Sequence, residues 1–178
     1  MPTSFNVDRA LTIVRNEYRK VLGLTFSNHY IYPGQFVDKR DAAHPPRMSF
    51  PRLKANGTYM VVCLDLDAPY PSCNVLGPMC HWIQSGLEPI MSDNGHFFLR
   101  VGAPYIANYV GPNPLFGSGP HRFLFILYEQ PAGFSMTRSA PCGGKKMGLL
   151  ARTRFDLDSW ARSIGLGPVV GANYFLSK

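Results

Sequence analysis

The stretch NGTYMVVCLDLDAP (residues 56–69) is the segment that says most about the fold. It opens with Asn56-Gly57, a dipeptide that favours the tight turn between two antiparallel strands. Residues 58–66 then form a nearly unbroken apolar run, which is typical of a strand buried on both faces. Asp65 and Asp67 lie at its end, and residues two apart on a strand project to the same side. The stretch therefore predicts a central strand that brings two carboxylates to one place.

Strand and turn signals dominate the sequence on both sides of this segment. Apolar residues at helical spacing predict one helix that includes Leu11 and ends near Gly23, and Asp156 and Gly165 bound a second, short helix. We therefore predict a mainly β protein with a few peripheral helices, and one domain over residues 1–178 on which residues 1–23 pack as a helical segment. The other predicted strands are residues 24–26, 30–32, 96–101, 123–128 and 169–175.

The composition indicates a globular protein with a net positive charge whose Lys and Arg residues are scattered along the sequence. Hydrophobic residues make up 46% of the chain and charged residues 16%, and the net charge of +7 favours anionic partners such as phosphate-bearing ligands or lipid surfaces. No nucleic-acid-binding motif accompanies this charge, so we predict no nucleic-acid partner. No run approaches the roughly 20 apolar residues of a transmembrane helix. The N-terminus lacks a signal-peptide pattern, so we expect a cytoplasmic protein, with secretion after removal of a signal peptide as the alternative.

The sequence carries no cofactor or metal signature. Residues 139–146 lack the glycine and the Ser or Thr of a phosphate-binding P-loop, and Gly117-Ser118-Gly119 is too short for a nucleophile elbow. The histidines show no compact ligand spacing, so we predict neither a metal nor a cofactor. The cysteines lie at positions 63, 73, 80 and 142 without a C-x-x-C motif. We expect Cys63 to be buried and free and no disulfide to be essential; whether Cys73 and Cys80 pair stays open.

Three features carry candidate chemistry. The first is the Asp65 and Asp67 pair, because carboxylates at the end of an apolar strand are costly unless they are paired or hydrogen bonded. The second is His81 in a strand-like segment, and the third is a Gly- and Pro-rich loop, residues 111–120, whose backbone N–H groups could hold an anion. His121 and Arg122 follow that loop directly. Each feature also has a plain structural interpretation: a turn cap, a core histidine and an ordinary connection.

Taken together and in this order, the motifs resemble the phosphatidylethanolamine-binding protein family, which includes kinase inhibitors, carboxypeptidase inhibitors and plant flowering regulators. The similar segments are D-L-D-A-P at residues 65–69, H-W-I at 81–83, G-P-x-P at 111–114, H-R at 121–122 and Y-E-Q at 128–130. The resemblance implies a Greek-key β-sandwich. It also implies one small pocket that accepts phosphate-like groups, with these ligand-binding residues: Asp65, Asp67, Ala68, Pro69, His81, Gly111, Pro112, Pro114, His121 and Arg122.

The resemblance leaves three functions open. The leading hypothesis is a binding or regulatory protein for a small anionic or polar-headed ligand, such as a phospholipid headgroup. The first alternative is a cofactor-independent biosynthetic enzyme, a cyclase, isomerase or lyase, that uses Asp65, His81 and His121 for acid–base chemistry on a hydrophobic small molecule. The second alternative is an inhibitor whose partner is a peptidase or a kinase. Leu66, Met79, Leu115 and Phe123 stand where the family often has Pro, an aromatic, Pro and Tyr, which makes the predicted pocket less polar.

Overall fold

A computed structural model describes residues 4–92, 95–136 and 147–178 of the chain. Cys142 and residues 139–146 lie outside the described residues. The strands, numbered in chain order, are β1 (Gly23–Phe26), β2 (His29–Ile31), β3 (Arg47–Ser49), β4 (Tyr59–Asp65), β5 (Met79–Met91), β6 (Phe97–Val101), β7 (Tyr105–Ala107), β8 (His121–Glu129) and β9 (Val169–Ser177). The helices are α1 (Phe5–Asn16), a 3-10 turn (Tyr18–Lys20), α2 (Leu149–Arg152) and α3 (Leu157–Ser163).

Side-chain caps fix the beginnings of the two longer helices. The Ser4 hydroxyl accepts a hydrogen bond from the Val7 amide at the start of α1, and Asp156 accepts one from the Ser159 amide at the start of α3. Asp158 of α3 ties the two helices together, because its carboxylate accepts hydrogen bonds from the Phe5 and Asn6 amides. None of the helices in the described part of the chain is long and apolar enough to cross a membrane.

The strands pair antiparallel in the order β2-β1-β3-β6-β5-β4-β8-β9, with the short β7 also paired to β5. Every residue of β4 is buried, as the apolar run predicts, and this strand lies between β5 and β8. The free edge of β9 is covered by residues of the first loops, since Leu22 and Val37 donate backbone hydrogen bonds to Ala172 and Leu176. Covering an edge in this way prevents its pairing with another chain.

The two faces of the β4–β8–β9 layer bury separate cores. On one face, Met60, Val62 and Leu64 of β4 pack against α1 and α3. On the other face, Val61 and Cys63 pack with residues of β1, β3 and β6, so the sheet folds over itself as a two-layered sandwich. The predicted mainly β sandwich with few helices is confirmed. Cys63 is buried and free as predicted, and Cys73 and Cys80 are unpaired.

The sheet bends within β5, and this strand takes part in both layers. Gly86 lies at the bend with φ of 62°, and the β4–β5 register shifts there, because Tyr59 is opposite Leu87 and Val61 is opposite Gln84. One extra residue on β5 therefore makes a bulge, and a bulge bends its strand. A Cβ at Gly86 would lie 2.4 Å from the Cβ of Ala103. The bend thus requires glycine both for its dihedral angle and for space.

We expect Gly86→Ala to lower the free energy of unfolding by about 2–3 kcal/mol, because positive φ and the clash with Ala103 both oppose it. Urea denaturation at neutral pH measures this loss. Ala103→Gly in the Gly86→Ala background should restore part of the stability, since it removes the clashing methyl group. A double variant that is no more stable than Gly86→Ala would show that the contact with Ala103 is not the cause.

Candidate functional site

The two carboxylates that follow β4 are buried and fully engaged. Asp65 and Asp67 are 4% and 3% exposed. Asp65 accepts a hydrogen bond from the Asp67 amide at Oδ1 (2.8 Å) and contacts Nδ1 of His121 through Oδ2 (2.8 Å). A carboxylate oxygen can only accept here, so Nδ1 of His121 carries the proton. The structure brings Asp65 and His121 together, although they are 56 residues apart in the chain.

His121 begins β8 and has one ring nitrogen without a partner. The residue is 1% exposed, and Nε2 is buried without a hydrogen-bond partner within the described part of the structure. Because Nδ1 is held by Asp65, Nε2 is an acceptor when the ring is neutral and a donor when it is charged. A buried polar atom without a partner is costly, and it marks a place where a ligand or water can bind.

His81 reaches the same cluster because of a second bulge in β5. Cys63 is opposite Trp82 but Leu64 is opposite Cys80, which leaves His81 as the extra residue. Bulges redirect side chains in this way. The His81 ring packs edge-on against Phe123 with 5.1 Å between ring centroids, and its Nδ1 donates to the Val110 carbonyl at 2.7 Å. Phe123 is two residues after His121 on β8 and projects to the same face, so His81 and His121 lie on the same side of the sheet.

Burial is the main influence on the ionisation of His81. Burial lowers the pKa of His81 below its usual value, and the nearby charges of Arg152 and His121 act in the same direction. The hydrogen bond to Val110 and the charge of Asp65 oppose this change without outweighing it. His81 is therefore neutral at neutral pH, with its proton on Nδ1.

Arg122 pairs with Asp67, as the resemblance implied. Its Nε and Nη2 donate to the two carboxylate oxygens at 2.8 and 2.6 Å, and its backbone amide donates at 2.8 Å. Burial alone would raise the pKa of Asp67, but these bonds from Arg122 outweigh it and lower that pKa. The pair fixes the start of β8, and so it holds His121 beside Asp65.

Arg152, a buried guanidinium that sequence reasoning did not single out, supports the cluster from α2. It is 3% exposed and donates to the carbonyl oxygens of Cys80 and His81 at 3.1 and 3.3 Å. It also donates to the Met147 carbonyl and to Oδ1 of Asn108 at 3.2 and 2.7 Å. No carboxylate pairs with it among the described residues. One guanidinium thus ties the His81 bulge to two other chain segments.

The remaining predicted residues follow Asp67 and Val110 in the chain. Ala68 is buried and its carbonyl accepts the Leu76 amide, and Pro69 follows it through a cis peptide bond. Val110 lies next to the predicted loop and joins it to the cluster. Its amide donates a hydrogen bond to the His81 carbonyl, and its carbonyl accepts one from Nδ1 of His81. Gly111 packs tightly on residues 42–43, Pro112 is buried and Pro114 is half-buried. That the loop amides bind an anion stays a prediction.

The four central side chains, Asp65, Asp67, His81 and His121, are all buried. A cavity of about 550 Å³ borders α3, and another of about 510 Å³ borders Trp82 and Tyr109; neither is lined by Asp65, Asp67, His81 or His121. Within the described ranges, no grouping of His, Cys, Asp and Glu could hold a metal ion. Chemically, the cluster offers an Asp–His pair with a free imidazole nitrogen, which can bind a polar group or transfer a proton.

Comparison with known proteins identifies the family. The phosphatidylethanolamine-binding protein profile matches residues 23–175 of the chain. The fold is a mainly β sandwich, and the chain belongs to the phosphatidylethanolamine-binding protein family. The sequence resemblance drawn from the short motifs is thereby confirmed.

Two curated relatives and one solved structure are informative. The chain is 26% identical over 131 residues to the carboxypeptidase Y inhibitor of Saccharomyces cerevisiae, covering 67% of this chain and 59% of the relative. It is also 26% identical over 123 residues to phomoidride biosynthesis cluster protein N of Talaromyces stipitatus, covering 67% and 58%. Both alignments span less than two thirds of the relative. A crystal structure of carboxypeptidase Y inhibitor complexed with its cognate proteinase aligns with a TM-score of 0.73 at 19% identity, covering 99% and 98% of the chains.

Proposed function

We propose that this protein binds a small anionic group, such as the phosphate of a phospholipid headgroup, at the cluster of Asp65, His81 and His121. The observation that carries the proposal is the buried Nε2 of His121, which has no hydrogen-bond partner in the described part of the chain, while Nδ1 is held by Asp65. A charged imidazole would donate from Nε2 to an anion, and its bond to Asp65 would keep the ring in place.

The surrounding charges favour an anion once His121 is protonated. Asp67 is paired with Arg122, and Asp65 contacts His121, while the nearby buried Arg152 has no carboxylate partner among the described residues. His81 is neutral, so a proton on His121 leaves one net positive charge. A buried net charge is strongly unfavourable without a counter-ion, and a bound anion supplies one.

Titration calorimetry tests the proposal with two phosphate diesters, dimethyl phosphate and glycerophosphoethanolamine. Diesters keep a constant phosphate charge between about pH 5.5 and about pH 8, whereas phosphate monoesters titrate near pH 6. We expect saturable binding of both diesters, because a phosphate oxygen can accept a hydrogen bond from Nε2 of a charged His121 ring. Tighter binding of glycerophosphoethanolamine would identify a lipid headgroup, and equal binding would identify the phosphate group alone.

His121→Ala should abolish this binding without unfolding the protein. His44→Ala is the matched control, because His44 is exposed and distant in sequence from every residue of the cluster. Absence of diester binding by the unmodified protein at every pH would refute the anion site.

A second candidate function is proton-transfer catalysis at the same cluster. The Asp65–His121 pair with a free Nε2 has the arrangement of a general base and its orienting carboxylate. The similarity to a protein whose name places it in the phomoidride biosynthesis cluster favours this candidate. Here Asp65→Asn should lower the rate of turnover far more than the affinity for substrate, a split that simple binding does not produce.

A protein partner is the third proposal, and it follows from the likeness to carboxypeptidase Y inhibitor, whose crystal structure contains its cognate proteinase. Incubation with carboxypeptidase Y, followed by an activity assay and size-exclusion chromatography, tests it. An inhibitor should lower the peptidase activity and co-elute with the enzyme. Independent elution with full activity would refute it for this partner.

A further inference from the structure

Two buried polar atoms without partners lie across from each other on β8 and β9. His121 is directly opposite Ser177 in the antiparallel register, so both side chains project from the same face of the sheet. Nε2 of His121 and Oγ of Ser177 are both buried without a hydrogen-bond partner. Opposed residues of this kind have Cβ atoms about 4.5–5.5 Å apart.

The lack of a partner at both atoms is informative because other buried polar side chains nearby have hydrogen-bond partners. Asn173, four residues before Ser177 and on the same face, donates to the Leu22 and Ile31 carbonyls. Asp65 and Asp67 accept the bonds described above. Within the described ranges, the buried side-chain atoms that lack a partner are these two alone. Two buried polar groups that face each other without partners are explained by one ligand atom that hydrogen bonds to both.

We propose that Ser177 is a ligand-binding residue, and that its hydroxyl and Nε2 of His121 together hold one oxygen atom of the bound anion. The inference rests on the proposed anion site and adds a residue from β9 to it. The charged imidazole donates one hydrogen bond from Nε2 and the hydroxyl donates a second, so one oxygen receives two donors from adjacent strands.

The chemistry of this pair defines the group that fits. The ligand oxygen must accept two hydrogen bonds, which a phosphate or carboxylate oxygen does and an ammonium or alkyl group does not. Asp65, Asp67 and His81 are the titratable groups that face His121 from the neighbouring strands, and Arg122 follows it on β8. Both atoms are buried, so the part of the ligand that reaches them is small.

Ser177→Ala tests the assignment, because ligand binding and a structural role predict different results. The Ser177 hydroxyl has no hydrogen-bond partner among the residues that the structure describes, so its removal should leave the melting temperature unchanged or raise it. The affinity for dimethyl phosphate at about pH 6 should fall about tenfold, since one donor to the anion is lost. Ser163→Ala is the control, because its hydroxyl already donates to the Trp160 carbonyl on α3.

The outcomes separate this inference from the proposed function. If His121→Ala abolishes binding while Ser177→Ala binds with unchanged affinity, the anion site stands and the role of Ser177 is refuted. If Ser177→Ala lowers the melting temperature with unchanged affinity, the hydroxyl is structural and the inference fails. If the unmodified protein does not bind dimethyl phosphate, both proposals fail. A tenfold loss of affinity with an unchanged melting temperature supports the assignment.

Discussion

Arg152→Met is expected to lower the free energy of unfolding by about 3–5 kcal/mol, because several buried acceptors lose their donor and each unsatisfied acceptor costs about 1–3 kcal/mol. Methionine has a similar length and fills the space, so the loss reports the hydrogen bonds. The carbonyl oxygens of Cys80, His81 and Met147 and Oδ1 of Asn108 would each lose a donor. Buried acceptors without donors carry their full desolvation cost. Urea denaturation followed by circular dichroism measures the change.

Two further variants make this result specific. Arg152→Lys keeps the positive charge but offers a single ammonium group in place of the planar fork, so it should recover only part of the stability. Arg162→Met is the matched control, because Arg162 is exposed on α3 and donates only to the Ser159 hydroxyl among the hydrogen bonds described for it. We expect the control to change stability by less than about 0.5 kcal/mol.

The effect of Arg152 should extend from stability to the site. The guanidinium holds the carbonyls on either side of the His81 bulge, and its charge contributes to the lowered pKa of His81. In Arg152→Met, the ring resonances of His81 should therefore titrate at higher pH by NMR. A loss of stability below about 1 kcal/mol, with unchanged His81 titration, would refute both roles.

Much of the fold could be predicted because its strands are long, apolar and bounded by turns. The apolar runs at residues 58–66 and 123–128 correspond to the buried β4 and β8. The short strands β3 and β7 have three residues each, which is too few to show an alternation of apolar and polar residues. The full extent of β5 was also not predicted. Two bulges interrupt its alternation of inward and outward side chains, and Gly86 and Pro89 are residue types that usually end a strand.

The site was predicted to the extent that its residues carry unusual chemistry in the sequence. Two carboxylates after an apolar run and an H-R pair before another run are visible locally. Arg152 was not singled out, because most of its partners are oxygen atoms of two segments that are distant in the sequence, at Cys80 and His81 and at Asn108. Ser177 could have been found: strand alternation from Phe175 places it on the same inward face, but the predicted strand ended at Phe175.

Asp67→Ala is expected to cost about 2–3 kcal/mol at neutral pH. The variant removes the acceptor of three hydrogen bonds from Arg122, including one from a backbone amide. The partial exposure of the Arg122 side chain, 39%, keeps the loss below that of a fully buried pair, because water can solvate the freed guanidinium. Arg122→Ala should cost a similar amount, and the double variant less than the sum, since both changes remove one interaction.

The pH dependence of this loss distinguishes an ion pair from simple packing. The folded-state pKa of Asp67 is lowered relative to an unfolded value near 3.9, so the native state binds fewer protons between these two values. The stability that the ionised carboxylate contributes is therefore fully present above about pH 4 and is lost as pH falls through the folded pKa. Urea denaturation at about pH 7, pH 4 and pH 3 should show the gap between the unmodified protein and Asp67→Ala narrowing with acid. A gap that stays constant would mean that Asp67 stabilises the protein by packing, and that Arg122 does not fix the start of β8 through its charge.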